Sequence, residues 1–403
     1  MQARTIGILL ALLALTFLLA PLVANFQLFD QKLHTEVAAA LEPTGPEADY
    51  LAILEMIKSG DIGQAQTADA DWQKNYTRCT SRTQVGCLRV LREDLVRTPL
   101  EENARLQSLL EHYRSLVSQT QQRGNPRANR EVPAIPWSLL LRLSNLSLAS
   151  SVGIDAASFL STLEGEIGFW KEIFTESDRM LDKVVAVAAL WSAVQYSSEY
   201  ILLNKLGDRD ASQLAAILAG AELDTGDMQI AYLNEFRNLG LLLRPIDSHA
   251  LQQSFAITTW QSALLLQPVA TLNEYYGKVI APLLCLAERP VADASAMVSG
   301  GQRPCDIQSL AATGSAWWSL YNPAGKSLMY GSRGTVGYIF RVHDFNALRG
   351  MVEYQLAIQA DSEEDIYDYL SPSLRPTVEN GKVSFPCLEK QSLCEVKIRK
   401  DQI

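Results

Sequence analysis

The residues whose types and spacing are suited to chemistry are few in this chain. Six cysteines and four histidines stand among 403 residues, and the stretch CTSRTQVGC, Cys79 to Cys87, poses the question first. Structural zinc sites hold ligands two to four residues apart on short knuckles. The gaps Cys79 to Cys87, Cys285 to Cys305 and Cys387 to Cys394 are all wider. His34, His112, His249 and His343 are scattered, with no partner at helical ligand spacing. A nucleophilic thiol needs one cysteine left free, and an even count argues against that. Disulfides are the expectation, because all six cysteines follow an apolar N-terminal segment and an exported chain meets an oxidising compartment. Spacing does not fix the connectivity. Nearest-neighbour pairing gives three short loops, Cys79–Cys87, Cys285–Cys305 and Cys387–Cys394, each worth about 2–3 kcal/mol through restriction of the unfolded chain.

Shorter motifs resolve into ordinary structure when their spacing is tested. NPAGKSL, Asn322 to Leu328, resembles the end of a phosphate-binding loop, but Leu320 stands where that loop needs a further glycine before Gly325. Pro323 and Gly325 predict a turn instead. In RVHDF the adjacent His343 and Asp344 have diverging side chains, so no acid–base pair is expected and His343 reads as a helix-start residue. No G-x-S-x-G elbow occurs, and GSRG at Gly331 is one residue too tight. The acidic run DSEEDIYDY, Asp361 to Tyr369, lacks the register and sharp-turn glycine of a calcium loop and reads as a carboxylate-rich helix start. The pairs Asp69/Asp71 and Asp208/Asp210 do no better. No catalytic, cofactor-binding or metal-ligating residue is assigned, and no cofactor is called for. AWWSLYNP is the most informative cluster. Trp317 and Trp318 point in different directions and Tyr321 follows, so this stretch is read as an interface candidate, a sugar-stacking platform or seam packing.

The elements that must position these residues are mainly helices. In PLEENARLQSLLEHYRSLVSQTQQ, Leu106, Leu109, Leu110, Tyr113, Leu116 and Val117 recur at three and four residues, one apolar stripe. FLSTLEGEIGFWKEIF repeats the pattern with Leu160, Leu163, Ile167, Trp170 and Phe174. Met180 to Leu203 is apolar nearly all round, which predicts a helix buried among others. QQRGNPRANREVPAIPW, with its glycine and prolines, is a loop or linker, so residues 121–136 mark a domain-boundary candidate. Further on, GTVGYIFRV reads as a short strand and HDFNALRGMVEYQLAI as a helix capped by Asp344. Asn380-Gly381 between strand-like flanks in TVENGKVSF predicts a tight β-hairpin.

Topology follows from the first residues. Ile6 to Asn25 carries no charged side chain, and roughly 20 apolar residues span a bilayer core of about 30 Å. Arg4 precedes the run while Asp30 and Lys32 follow it, which keeps the short N-terminal end in the cytoplasm. A cleaved signal peptide is the rival reading, though cleavage after Ala24 would put Leu22 at a position that favours small residues. Either reading exports the rest. The expected organisation is a cytoplasmic stub (1–5), a transmembrane anchor (6–28), a multi-helix periplasmic body (29–300) and a small α+β cap with a β-hairpin (301–403). The hydrophobic share of 48% and charged share of 20% describe a globular chain. A net charge of −10 repels phosphate, so nucleic acid is excluded as a partner.

Five stretches together carry a resemblance: ADYLAILEM, the Cys79 to Cys87 loop, FWKEIFTESDRMLDKVVAVAAL, TLNEYYGKVIAPLL and YNPAGKSL. The ensemble resembles an uncharacterised family of single-span, periplasm-facing proteobacterial membrane proteins. The resemblance implies the bacterial inner membrane with the bulk of the chain periplasmic, and it assigns no catalytic or binding residue. The functional expectation is a non-enzymatic, membrane-tethered protein that binds another envelope protein as an assembly factor, inhibitor or immunity-type guard. The alternatives are an envelope hydrolase acting on lipid or cell-wall glycan, and a carrier of lipid or a small ligand.

Overall fold

The computed structural model describes residues 34–41, 87–100, 104–120, 136–152, 155–243, 267–298, 305, 335–360, 365–389 and 394–398. These residues are mainly helical, with one small antiparallel sheet near the C-terminus. The segment 6–28, the stretch 121–135 and Trp317, Trp318 and Tyr321 lie outside them. Among the described residues no helix is long and apolar enough to cross a membrane.

The chain divides into two compact units, each drawn from separated stretches. The larger takes Gly45–Ala231, Arg289–Gly301 and Gly337–Ile403. The smaller takes Met1–Thr44, Tyr232–Glu288 and Gln302–Val336. In chain order the helices are α1 (Thr35–Ala40), α2 (Cys87–Arg97), α3 (Ala104–Thr120), α4 (Trp137–Ser151), α5 (Ala156–Glu176) and α6 (Met180–Leu203). There follow α7 (Asp208–Gly220), α8 (Met228–Leu243), α9 (Pro268–Tyr275), α10 (Ala281–Ala287), α11 (Val291–Val298) and α12 (Val336–Gln359).

The core of the larger unit is built on α5 and α6. Asp155 starts α5 by accepting a hydrogen bond from Ser158 N at 2.6 Å, the usual N-cap arrangement. The predicted stripe Leu160, Leu163, Ile167, Trp170 and Phe174 is fully inside. α6 is buried nearly all round, as its sequence predicts, because α5, α4 and α2 all pack against it. Phe159 at the start of α5 stacks on Tyr200 near the end of α6, with ring centroids 4.1 Å apart. Lys183 near the start of α6 lies over the ring of Phe174 near the end of α5. Those two pairs make α5 and α6 antiparallel. The α3 stripe from Leu106 to Val117 is also buried, against α4 and α5. At α2, Glu199 of α6 accepts from the backbone of Leu88 (3.4 Å) and Arg89 (3.2 Å), a carboxylate placed on the free N–H groups of a helix start.

α12 departs from the sequence reading. The run expected as a strand, with a helix beginning at Asp344, is one 24-residue helix from Val336 to Gln359. Ile339, Val342, Phe345, Leu348, Val352 and Leu356 bury one continuous face, and that packing overrides the strand preference of Tyr338, Ile339, Phe340 and Val342. Two glutamines tie its second half to the end of α6. Gln355 Nε2 donates to Ser198 O (3.2 Å) and to Lys397 O (2.9 Å), while Gln359 Nε2 donates to Ile201 O (3.2 Å) and Asn204 O (2.7 Å). Ile201 O lies in the last turn of α6, where carbonyls have no partner within the helix.

The sheet has the order β1 (Thr377–Glu379), β2 (Lys382–Ser384), β3 (Glu395–Lys397), all antiparallel. Glu379 pairs with Lys382, so Asn380 and Gly381 form the predicted two-residue turn. Both have positive φ, 53° and 72°, as a hairpin twisted in the favoured sense requires.

In the smaller unit, α1 packs on α8, where Arg237 Nε donates to Ala40 O at 3.1 Å. Asn273 Oδ1 of α9 accepts from His34 N at 3.1 Å. α9 runs into α10 through a wide π turn, Tyr276–Ile280, just before Pro282. Proline has no N–H for the helix ladder, and the widened turn accommodates that gap.

Candidate functional site

Cys285 is bonded to Cys305 and Cys387 to Cys394. Cys87 is also disulfide-bonded, with its partner outside the described residues, where Cys79 lies. The Cys387–Cys394 bridge stands beside a feature the sequence disguised. Asp344 is fully buried in the middle of α12, not at its start, and its carboxylate accepts from Leu388 N (2.8 Å) and Glu389 N (2.9 Å) inside the disulfide loop. Arg341 one turn earlier pairs with Glu389 at 2.7 Å. Ligand-type atoms of Asp344, Cys387 and Cys394 lie within 4.8 Å of one another. The two sulfurs are joined to each other, however, so neither is a thiolate ligand here.

His343 is also mid-helix and buried, a correction to its reading as a helix-start residue. Its Nε2 has no hydrogen-bond partner, and burial pushes the imidazole down to about 4. It is a neutral core residue, and its neighbour Asp344 serves a different backbone segment. Asp208 and Asp210 lie in the first turn of α7, where carboxylates favour a helix N-terminus. Of the acidic run, Asp365 and Asp368 form a reciprocal capping box on a short 3-10 helix, Ile366–Asp368. NPAGKSL lies outside the described residues.

The densest polar constellation is one that sequence reasoning missed. Glu166 of α5 is 1% exposed, and its Oε2 accepts from Tyr113 Oη of α3 (2.6 Å) and Ser144 Oγ of α4 (2.6 Å). Trp170, one turn along α5, directs its Nε1 at the same oxygen and at Ser144 Oγ, each 3.2 Å away. Trp137 and Phe169 flank the indole at 6.1 and 5.1 Å between ring centroids. Loss of hydration disfavours the charged carboxylate while these donors favour it. Burial wins, and the Glu166 carboxyl is pushed up to about 7. Tyr113 is pushed well above its ordinary range by burial and by the Glu166 charge. At 1% exposure the Glu166 carboxyl joins α3, α4 and α5 through its hydrogen bonds.

A second cluster closes the α5–α6 turn. Lys183 is fully buried, and its Nζ donates to Phe174 O and, at 3.2 Å, to Thr175 O. A cation thereby meets the carbonyl end of α5, where the helix dipole is negative. Burial lowers the ammonium to about 8, against the pull of Asp227, Glu176, Asp178 and Asp182. Asp182 accepts from Ser177 Oγ at 3.2 Å and lies 3.7 Å from Arg179 Nε. Burial raises its carboxyl to about 7 despite Lys183.

A local signal for both clusters was present. Glu166 lies three residues after Leu163 and four before Trp170, a carboxylate set on an apolar stripe. Asp182 and Lys183 similarly sit within an otherwise apolar helix. Their partners lie up to 53 residues away, beyond any spacing rule. No family model, no curated protein and no solved structure matches this chain.

Proposed function

We infer that this chain is a membrane-tethered, envelope-facing protein whose task is to bind another envelope protein as an assembly factor, inhibitor or immunity-type guard. The observation that carries the reading is the order of features along the chain. An uncharged apolar run, Ile6 to Asn25, precedes every cysteine, and Cys285–Cys305 and Cys387–Cys394 are bonded. That order fits a chain anchored at its N-terminus and folded in an oxidising compartment. The resemblance to single-span, periplasm-facing proteobacterial proteins points the same way.

Among the described residues, binding is favoured over catalysis by where the strongly shifted titratable groups and Asp344 are placed. Glu166, Asp182, Lys183, His343 and Asp344 are all buried, and Glu166, Lys183 and Asp344 bond to neighbouring elements of their own unit. They support architecture rather than a reaction centre. Confinement to a membrane raises the effective concentration of a binder at the surface where its partner acts. Trp317, Trp318 and Tyr321 supply aromatic anchors of the kind that dominate interfaces.

The test is crosslinking in living cells of the full-length anchored protein, with mass spectrometry of what co-purifies. One reproducible, near-stoichiometric envelope partner is expected, and Trp317→Ala with Trp318→Ala should reduce its recovery at least several-fold. Recovery of no enriched partner under conditions that capture a known envelope complex overturns the reading.

A further inference from the structure

The α3–α4–α5 junction holds more than a tie between helices. Three donors converge on one oxygen of Glu166, from Tyr113, Ser144 and Trp170. Ser147 stands one turn beyond Ser144 on the same face of α4. Ser147 is 1% exposed, and it accepts from Arg114 Nε at 3.4 Å. Arg114 lies at the surface, with its other end on Ser150 Oγ at 2.6 Å. The seam between α3 and α4 is therefore polar from Ser147 out to Arg114 at the surface.

We propose that Glu166 is a proton-operated clamp, which holds α3, α4 and α5 more tightly when its carboxyl is protonated than when it is ionised. The step is balanced by water alone: hydronium gives its proton to the carboxylate, and a carboxylic acid and water result. Ionised, the group is a charge withdrawn from solvent, held by neutral donors and drawn to the Arg114 guanidinium at the surface, which together offset only part of the burial cost. Protonated, that cost disappears, and the oxygen facing Tyr113, Ser144 and Trp170 still accepts.

Among the described residues α3 brings Tyr113 and Arg114, whose guanidinium is also drawn to Glu111, and α4 brings the hydroxyl of Ser144. On α5 itself Lys171 is directed to Gly220 O of α7 at 2.7 Å. The ions that α6 sets against α5, Asp182 and Lys183, meet it at Phe174 and Thr175, about two turns further along. The inference goes beyond the binding role proposed above, and it stands whether or not an envelope partner exists.

The test follows the Trp170 indole N–H resonance of the full-length protein in detergent micelles between pH 5 and 9. Wild type should show a transition with its midpoint near pH 7, and Glu166→Gln, which fixes a neutral side chain of the same shape, should be flat. Tyr113→Phe removes a donor that favours the ionised form, so its midpoint should lie above that of wild type. Thermal unfolding should show a gain from pH 8 to pH 5 that shrinks in Glu166→Gln. A flat wild-type indole across this range overturns the proposal, and so does a Glu166→Gln protein that titrates like wild type. Should Glu166→Gln fail to fold, an unmoved midpoint in Tyr113→Phe overturns it equally.

Discussion

A buried ionisable residue links stability to pH with a sign set by which form the core prefers. Glu166 and Asp182 are both pushed up to about 7. A folded carboxyl that holds its proton more tightly than the unfolded one contributes stability fully present below its ordinary range, from 4.5 for Glu166, and lost as pH rises through about 7. For Glu166 that interval corresponds to about 3 kcal/mol. His343 works the other way. Its imidazole is buried neutral and pushed down to about 4, so its contribution is present above its ordinary 6.5 and lost as pH falls through about 4. Two carboxyls outweigh one imidazole in the shared window. Thermal unfolding of the protein should therefore give a higher midpoint at pH 5 than at pH 8. His343→Leu should enlarge that difference, since it removes the opposing group and an unpartnered Nε2. A smaller difference in His343→Leu would show that the imidazole is not held neutral.

Within elements, two substitutions test how α12 is held. A Cβ added at Gly350 would meet the backbone oxygen of Tyr369 at 2.5 Å, closer than atoms pack, so the chain after α12 must shift. Gly350→Ala should cost about 1–3 kcal/mol by chemical denaturation, although alanine is the better helix former. Asp344→Ala leaves the buried N–H of Leu388 without its acceptor and removes the bond to Glu389 N. A loss of about 2–4 kcal/mol is expected, together with faster hydrogen exchange at Leu388 and Glu389. Unchanged exchange there would show that Asp344 does not hold the disulfide loop.

These same elements show what a sequence discloses about this chain. The stripes of α3 and α5 and the all-round burial of α6 were legible, because burial of one helical face imposes a period on apolar residues. The hairpin at Asn380-Gly381 was legible because few dipeptides tolerate positive φ twice. The start of α12 was not, since Tyr338, Ile339 and Phe340 favour strands and only their packing makes them helical. The Glu166 constellation was half legible. A carboxylate on the stripe of α5 announced an unusual position, but Tyr113 and Ser144 reach it only through the tertiary fold. Asp344 was misread because a mid-helix acid and an N-cap acid look alike until the preceding residues are placed.

At the scale of the molecule, the bonded cysteines and the apolar N-terminal run belong to one argument. An oxidised chain implies that thiol labelling of the denatured, unreduced protein from growing cells finds essentially none of the six cysteines free. Four or more labelled cysteines would remove the oxidising compartment from the account. Everything else in the functional reading depends on export, including the tether, the disulfides and the class of partner. The most direct measurement is a pair of reporters fused after Ile403, one active only in the periplasm and the other only in the cytoplasm. The account predicts an active periplasmic reporter and a silent cytoplasmic one, in a product that stays with the inner membrane after carbonate extraction. The reverse pattern would contradict it, and would return Glu166 and its neighbours to a protein that works inside the cell.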